Sequence, residues 1–203
     1  MQKNAFISPR LILASSSKYR KELLSRLHIP FDVMVPDIDE TLNTGETPED
    51  TAIRLAQEKA REIANRIPNA LIIGSDQVAT LNGEQIGKPG THKNALMQLR
   101  KMRGNKVIFH TALCLLDNRK NPADIQIENV QTFVAFRNLP DAELDRYLKI
   151  EQPYDCAGSA KNEGLGIALI EKIESADPTA LTGLPLIALT TMLRHAGVPF
   201  FQK

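Results

Sequence analysis

Features typical of several specialised protein classes are missing from this sequence of 203 residues. It has only two cysteines, Cys114 and Cys156, and neither belongs to a CxxC or Cys/His pattern, which argues against a zinc site or a disulfide framework. Free cysteines are usually buried, so we expect two unpaired, buried thiols. The four histidines are dispersed without metal-ligand spacing, and we assign no chemistry to them.

An excess of one charge and long apolar runs are also missing. Twenty-five Lys and Arg against 24 Asp and Glu leave a net charge of +1, so no overall field would attract nucleic acid or an anionic membrane. The apolar runs are far shorter than the roughly 20 residues that cross a bilayer. The start MQKNAFISPR lacks the apolar core of a signal peptide. We expect a cytoplasmic protein without nucleic-acid or membrane partners, in which local cations meet any bound anion.

Local signals predict several element boundaries in what we expect to be one domain over residues 1–203. A hydrophobic share of 42% and a charged share of 24% are typical of an ordered globular protein. Thr47 and Pro48 predict the start of a long helix. Asn82-Gly83 predicts a tight hairpin turn, and a further helix is expected from about Thr91 to Met102.

Short apolar runs and alternating patterns predict the remaining elements. LILA is a strand followed by a basic helix, and LIIG is a strand that ends at a polar interruption, GSD, before the hairpin. The alternation slips near Asn129, which predicts a bulge. Further strands are predicted in FDVMV, KVIFHTALCLLD, DIQIENVQTFVAFR and LGIALIEKI, and further helices in PDAELDRYLKI and LIALTTMLRHAG. Because a long hairpin interrupts the alternation of strands and helices, we predict an α/β fold with a mixed β-sheet.

The segment SSSKYR lies where the first strand gives way to the first helix. Serine hydroxyls, free amides and the positive end of the helix dipole would converge there, with Lys18, Arg20 and Lys21 nearby. This arrangement suits a phosphate group, although it lacks the Gly-rich pattern of a P-loop. Helix capping by serine is the simpler alternative for these residues.

Three further side chains are candidates for the same site. Asp76 follows an apolar strand, where α/β sheets often carry working groups, and a turn-forming aspartate is the alternative. Lys88 follows the hairpin and could fold back to the same end of the sheet. Lys59 flanks the apolar stripe of the long helix, at the margin of a cleft. For both lysines the alternative is an ordinary solvated side chain.

Acidic residues form the next candidate group. Asp37, Asp39 and Glu40 lie in a segment without periodicity, and their oxygens could hold Mg²⁺ together with water. A solvated acidic loop is the alternative. Further along, GSAKNEGLG places Glu163 among glycines that let a backbone approach a planar ligand. No GxSxG pattern supports a Ser/His/Asp triad.

An ordered set of motifs resembles the Maf family of nucleoside triphosphate pyrophosphatases. The motifs are LILASSSKYRKELL, DIDET, RLAQEKA, IIGSDQV, GKP, CAGSAKNEGLG and LTGLPL, which together extend over about residues 11–195. The resemblance implies a fold similar to that of inosine triphosphate pyrophosphatases, in which a long mixed β-sheet with flanking helices forms two lobes around a central cleft. It also implies cleavage of a nucleotide substrate between its α and β phosphates, with a divalent cation such as Mg²⁺, Mn²⁺ or Co²⁺.

The resemblance also implies roles for single residues. Asp76 matches the family's proton acceptor, although the residues alone leave open whether it is the base or a metal ligand. Together with Asp76, Glu40 is expected to bind the metal. The matches for substrate binding are Ser15, Ser17, Arg20, Lys59 and Lys88. A homodimer is compatible with the resemblance.

GSDQ and NEG resemble the family's branch that acts on 7-methyl-GTP, in which Tyr19, Gln77 and Glu163 match positions linked to specificity. The cationic 7-methylguanine gains from the face of Tyr19, and its N–H edge can donate to Glu163. Gln77 offers both a donor and an acceptor. This branch often has tryptophan where Tyr19 stands, and the family often has proline in place of Lys18, which affects the expected preference. The alternatives are a dTTP/UTP pyrophosphatase of the same family and a non-catalytic regulator of septum formation.

Overall fold

A computed structural model describes residues 9–201, and most of the N-terminal segment considered for targeting lies outside the described residues. The described part contains seven strands and five α-helices. In chain order they are β1 Leu11–Ala14, α1 Lys18–Ser25, β2 Asp32–Met34, α2 Pro48–Arg66, β3 Leu71–Leu81, β4 Glu84–Ile86, α3 His92–Met102, β5 Lys106–Asp117, β6 Asp124–Phe136, α4 Asp141–Glu151, β7 Ile170–Ser175 and α5 Leu186–His195.

All seven strands belong to one sheet with the order β2-β1-β3-β5-β6-β7, and β4 pairs with β3 outside this path. β1 runs parallel to β2 and β3. The pairs β3–β4, β3–β5, β5–β6 and β6–β7 are antiparallel. The predicted α/β fold with a mixed sheet is therefore confirmed. Within residues 9–201, no helix has the length and apolar character needed to cross a membrane.

Three clusters of buried side chains divide the sheet into two lobes. In the first lobe, α1 and α5 cover one face of β1, β3 and β5, and α2 covers the other face. Alternation along β1 serves both faces, because Leu11 and Leu13 pack towards α5 whereas Ile12 and Ala14 pack towards α2. In the second lobe, α3 and α4 pack on the far ends of β5 and β6. The long strands pass through both lobes, and this confirms the predicted two-lobed arrangement. The domain boundaries at residues 1 and 203 stay a prediction.

β3 is one continuous strand, so the predicted interruption at GSD is wrong. Antiparallel pairing with β5 supports β3 along almost its whole length. On the opposite edge, β1 pairs only as far as Gly74, and β4 pairs from Ala79 onwards. Ser75–Val78 therefore has no strand partner on that edge among the described residues, and Asp76 lies in this gap. The strand that ends beside Asp76 is β1.

The hairpin and the long helices are confirmed. Leu81 pairs with Glu84, and Asn82 and Gly83 have φ values of 53° and 85°, as a two-residue hairpin turn requires. The Thr47 hydroxyl accepts a hydrogen bond from the Asp50 amide at 3.1 Å and caps α2. Local chemistry decided both features, which explains why the sequence was sufficient to predict them.

Three smaller expectations are wrong. The pairing of β5 with β6 continues without a break past Asn129, and the register shift lies instead between Ala135 and Phe136, opposite β7. The first half of LGIALIEKI forms a 3₁₀ helix because the chain doubles back there, and a Cβ on Gly166 would overlap the Lys161 backbone. Cys114 is buried as expected, whereas Cys156 is only half-buried.

Candidate active site

A cleft of about 700 Å³ separates the two lobes. The first lobe contributes the end of β1, the start of α1 and one face of α2, and the second contributes β4 and the segment after α4. The ten residues to which the family resemblance gives roles all line this one cleft: Ser15, Ser17, Tyr19, Arg20, Glu40, Lys59, Asp76, Gln77, Lys88 and Glu163. Their convergence from distant segments makes the cleft the candidate active site.

The serine segment forms the wall of the cleft at the end of β1. Ser17 caps α1, since its hydroxyl accepts a hydrogen bond from the Arg20 amide at 3.3 Å. The buried Ser15 hydroxyl accepts from the Ser17 amide at 3.1 Å and from Arg20 Nη1 at 3.2 Å. Capping and a phosphate-facing position are therefore compatible here. The exposed Ser16 also lines the cleft; as the middle member of the serine run, it could have been included from the sequence.

Lys59 and two carboxylates form the polar centre of the cleft. Lys59 is 6% exposed, and its Nζ lies 2.6 Å from Asp76 Oδ1 and 2.7 Å from Glu40 Oε1. The close approach of α2 to β3 places the ammonium there, because Gly74 has no side chain and a Cβ would overlap the carbonyl oxygen of Ala56. Lys59 is thus a buried cation facing the cleft, which excludes the alternative of a solvated lysine.

The charges around this centre influence one another. Burial lowers the pKa of Arg20, and the nearby Asp76 and Glu40 oppose this effect. Burial alone would raise the pKa of Glu40, but the hydrogen bond and charge of Lys59, with Lys88 and Arg20 further away, lower it overall. Glu40 is therefore held as a carboxylate. The exposed Lys88 is close enough to act on it, so Lys88 does fold back towards the site.

The carboxylates of the cleft could supply two protein ligands to a metal ion. Glu40 and Asp76 already converge on one cation, the Lys59 ammonium. Mg²⁺ is commonly held by one or two protein carboxylates together with water and substrate phosphates. Within residues 9–201, no group of three His, Cys, Asp or Glu side chains is placed to hold a metal. The interpretation of Asp37, Asp39 and Glu40 as one cluster is therefore wrong, since only Glu40 lines the cleft.

The other end of the cleft combines apolar and polar groups. Phe109, Val134, Phe136 and Leu181 supply an apolar wall, which suits a planar ring. Tyr19 lies on the opposite lobe, and the Lys18 ammonium is 5.0 Å from the centre of its ring.

Glu163 and Gln77 differ in how far the protein already satisfies them. Glu163 is exposed, yet partial desolvation of its carboxyl group raises its pKa. The Gln77 side-chain amide lies within 3.1 Å of the Thr111 hydroxyl and of the carbonyl oxygens of Ala180 and Leu181. Its two N–H groups are thus directed at protein acceptors, and only the carbonyl oxygen remains for a ligand.

Two further residues of the cleft were missed by sequence reasoning. Lys161 bonds Glu151 at 2.6 Å and lines the cleft two positions before Glu163; the AKNEG motif could have indicated it. Cys156 also lines the cleft, but burial raises the pKa of its thiol to about 12. It is therefore protonated at neutral pH and unsuited to act as a nucleophile.

The chain is similar to several known proteins. The family model described as Maf-like protein matches residues 10–196. A 7-methyl-GTP pyrophosphatase from Cupriavidus metallidurans is 66% identical over 193 residues, which cover 95% of this chain and 96% of that protein. Its counterpart from Burkholderia thailandensis is 63% identical over 205 residues, covering 100% of this chain and 94% of that protein. Among solved structures, the Staphylococcus aureus Ham1 protein aligns with a TM-score of 0.45 and 17% identity, over 64% of this chain and 72% of that chain.

Proposed function

The chain belongs to the Maf family, and on that premise we propose that it hydrolyses 7-methyl-GTP to 7-methyl-GMP and diphosphate. It would then be a hydrolase acting on acid anhydrides that removes a modified nucleotide from the cellular pool. Relatives at 62–66% identity over nearly the whole chain are named 7-methyl-GTP pyrophosphatases. The observation that carries the proposal is the convergence of Arg20, Lys59, Asp76 and Lys88 on one cleft from four separate segments.

The phosphate end of the cleft meets the main demand of the reaction, which is to neutralise charge on several phosphate oxygens. Arg20 commits Nε and one N–H of Nη1 to the protein, and a guanidinium group has five N–H donors. The rest of its fork can face the triphosphate. Lys88 and the amides at the start of α1 add positive charge beside it. Ser15 and Ser17 hold this segment in shape and contribute further polar atoms.

Asp76 is the best-placed group to orient or deprotonate the attacking water. Its Oδ1 is fixed by Lys59 at 2.6 Å, and no group of residues 9–201 donates to its Oδ2. One carboxylate oxygen is thus anchored while the other faces the cleft. A base held in this way can accept a proton from water without losing its orientation.

Glu40 and Asp76 would hold the divalent cation that the family resemblance implies. When bound, such an ion supplies positive charge to phosphate oxygens and lowers the pKa of water. The ammonium of Lys59 already bridges these two carboxylates and offsets one of their two negative charges, so the residues keep the site assembled before any ligand enters.

Specificity for the methylated base would come from the other end of the cleft. The face of Tyr19 that does not meet the Lys18 ammonium can attract a cationic ring, and the Glu163 carboxylate accepts hydrogen bonds from the N–H edge of guanine. Both groups favour a base that carries positive charge. Gln77 contributes an acceptor only, because the protein uses its amide N–H groups.

A substrate panel tests the proposal. The chain, with Mg²⁺, Mn²⁺ or Co²⁺, would be incubated with 7-methyl-GTP, GTP, UTP and dTTP while diphosphate release is followed. We expect 7-methyl-GTP to give the highest kcat/KM and to compete effectively with UTP. A preference for UTP or dTTP would identify the other branch of the family. Absence of diphosphate from every nucleotide at high enzyme concentration would contradict the proposal and favour a regulatory role. Homodimerisation and a cytoplasmic location stay predictions.

A further inference from the structure

A tight turn at Ala180–Gly183 is fixed to the sheet by side chains that lie behind the cleft. The Thr111 hydroxyl donates to the Ala180 carbonyl at 3.0 Å, and the Ser75 hydroxyl donates to the Gly183 carbonyl at 2.9 Å. Thr111 and Ser75 are both 0% exposed. Neither lines the cleft within the described residues.

The same turn is also hydrogen-bonded to Arg20 of α1. The Gly183 carbonyl oxygen accepts a second hydrogen bond from Arg20 Nε at 2.9 Å. Gly183 has a φ of +106°, which favours glycine, and a Cβ there would lie 3.4 Å from Arg20 Nε. One carbonyl therefore joins the buried Ser75 to the guanidinium of the cleft.

The turn is also fixed at its ends. The buried Asp177 accepts hydrogen bonds from the Thr179 amide and hydroxyl and from the Ile187 amide at the start of α5. The Thr179 hydroxyl in turn accepts a hydrogen bond from the Leu186 amide at 2.8 Å. With both ends held, the Gly183 carbonyl has little freedom to follow Arg20. The turn instead imposes a direction on the guanidinium.

We propose that Ser75 and Thr111 are positioning residues that aim Arg20 at the triphosphate through the Ala180–Gly183 turn. The inference rests on the proposed function for its consequence in catalysis. A guanidinium group binds phosphate through directional, paired N–H donors, so a small rotation loses contacts even though the charge remains. Displacement of a binding group by about 1 Å can cost on the order of a hundredfold in rate. Gln77, bonded to the same turn, acts partly as an anchor.

Kinetics of conservative variants provide the first test. We expect Ser75→Ala and Thr111→Val each to lower kcat/KM for 7-methyl-GTP by about tenfold, since each removes one buried hydrogen bond to the turn. Thr111→Ser keeps the hydroxyl and should stay within about twofold of wild type. Thr111→Ser is therefore the matched control, because it changes the same buried position without removing the hydrogen bond to the turn.

A double-mutant cycle separates positioning from a general structural effect. Arg20→Lys keeps the charge but cannot make the Nε bond to Gly183. If Ser75 and Thr111 act through Arg20, adding Ser75→Ala or Thr111→Val to Arg20→Lys should change kcat/KM by less than about twofold. The same tenfold loss in both backgrounds, or no loss in the wild-type background, would overturn the inference.

Hydrogen exchange of the Arg20 Nε–H tests the positioning without any substrate. Its ¹⁵N–¹H signal, assigned by its absence in Arg20→Lys, should exchange about tenfold faster in Ser75→Ala and stay unchanged in Thr111→Ser. Faster exchange in a chain that hydrolyses no nucleotide would sustain the positioning and refute the proposed function. Normal hydrolysis with unchanged exchange would sustain the function and refute the positioning.

Discussion

Two cations on α2, Arg54 and Lys59, each join two carboxylates, yet they lie in different surroundings. Arg54 bonds Glu46 at 2.6 Å and Glu58 at 3.1 Å, and it also donates to the Thr41 carbonyl. Lys59 bonds Glu40 and Asp76 at similar distances but faces the cleft between the lobes. Only five positions separate the two side chains, so one helix serves two purposes.

The two cations differ in the number of N–H donors that remain for a ligand. Arg54 uses all three of its nitrogens within the protein, and it fastens the segment that precedes α2 to the helix. Lys59 has three N–H donors and uses two of them, so one remains for a ligand. Arg54 is therefore a structural cation, whereas Lys59 is suited to hold a reactive carboxylate and a phosphate oxygen together.

Asp76→Asn should have the largest effect, because it changes the carboxylate that Lys59 holds in the cleft. The amide cannot accept a proton or hold a metal as a carboxylate does, so we expect kcat to fall by about a thousandfold. Diphosphate release from 7-methyl-GTP measures the loss, and thermal unfolding checks that the variant is folded. Activity within tenfold of wild type would exclude Asp76 as either base or metal ligand.

Lys59→Met compared with Arg54→Met tests the comparison directly. Loss of the charged hydrogen bonds of Lys59 should lower kcat/KM by about a hundredfold. Arg54→Met should change kcat/KM by less than about threefold, because its partners lie outside the cleft, while reducing the free energy of unfolding. Steady-state kinetics and urea unfolding of both variants provide the measurement. Equal losses of activity would remove the distinction between the two cations.

Gly74→Ala should disturb the Lys59 site through the backbone. An added methyl group would overlap the Ala56 carbonyl and push α2 away from β3. We expect the free energy of unfolding to fall by about 3 kcal/mol, as in other overpacked cores. The control is Gly87→Ala, where a Cβ would meet nothing within 4 Å. Equal free energies of unfolding for both variants would show that α2 accepts a methyl group at Gly74 without strain, which would contradict the prediction.

The smallest expected effect is on the pH dependence of stability, through the ion pair between Arg54 and Glu46. The hydrogen bond from Arg54 lowers the pKa of Glu46 from 4.5 to about 2. A carboxylate with a depressed folded-state pKa stabilises the fold above its unfolded pKa, and this contribution is lost as the pH falls through the folded value. Glu46→Gln should therefore be less stable than wild type at neutral pH, with a difference that shrinks between pH 4.5 and about 2. Thermal unfolding midpoints of both proteins, measured across this pH range, provide the test. A difference between them that stays constant with pH would contradict the prediction.

The sequence was sufficient where local chemistry decides structure. The Thr47 cap, the Asn82-Gly83 turn and the period of α2 are properties of neighbouring residues, and all are present in the structure. The ten residues that the motif set pointed to all line one cleft, and their roles stay predictions.

Features that depend on distant contacts could not be predicted from local patterns. The gap beside Asp76 arises because β1 ends at Ala14, which pairs with Gly74, and β4 begins pairing with β3 only at Ala79. The Ser75 hydroxyl meets a carbonyl 108 positions away. Neither the double pairing of Lys59 nor the anchoring of Gln77 has a sequence signature, since both depend on which elements the sheet brings together.

We propose that this cleft cleaves the bond between the α and β phosphates of 7-methyl-GTP. ³¹P NMR of the reaction with Mg²⁺, followed in parallel for wild type and Asp76→Asn, tests it most directly. We expect signals of 7-methyl-GMP and diphosphate for wild type, and almost unchanged substrate for the variant over the same time. Formation of 7-methyl-GDP and orthophosphate, or equal conversion by both proteins, would contradict it.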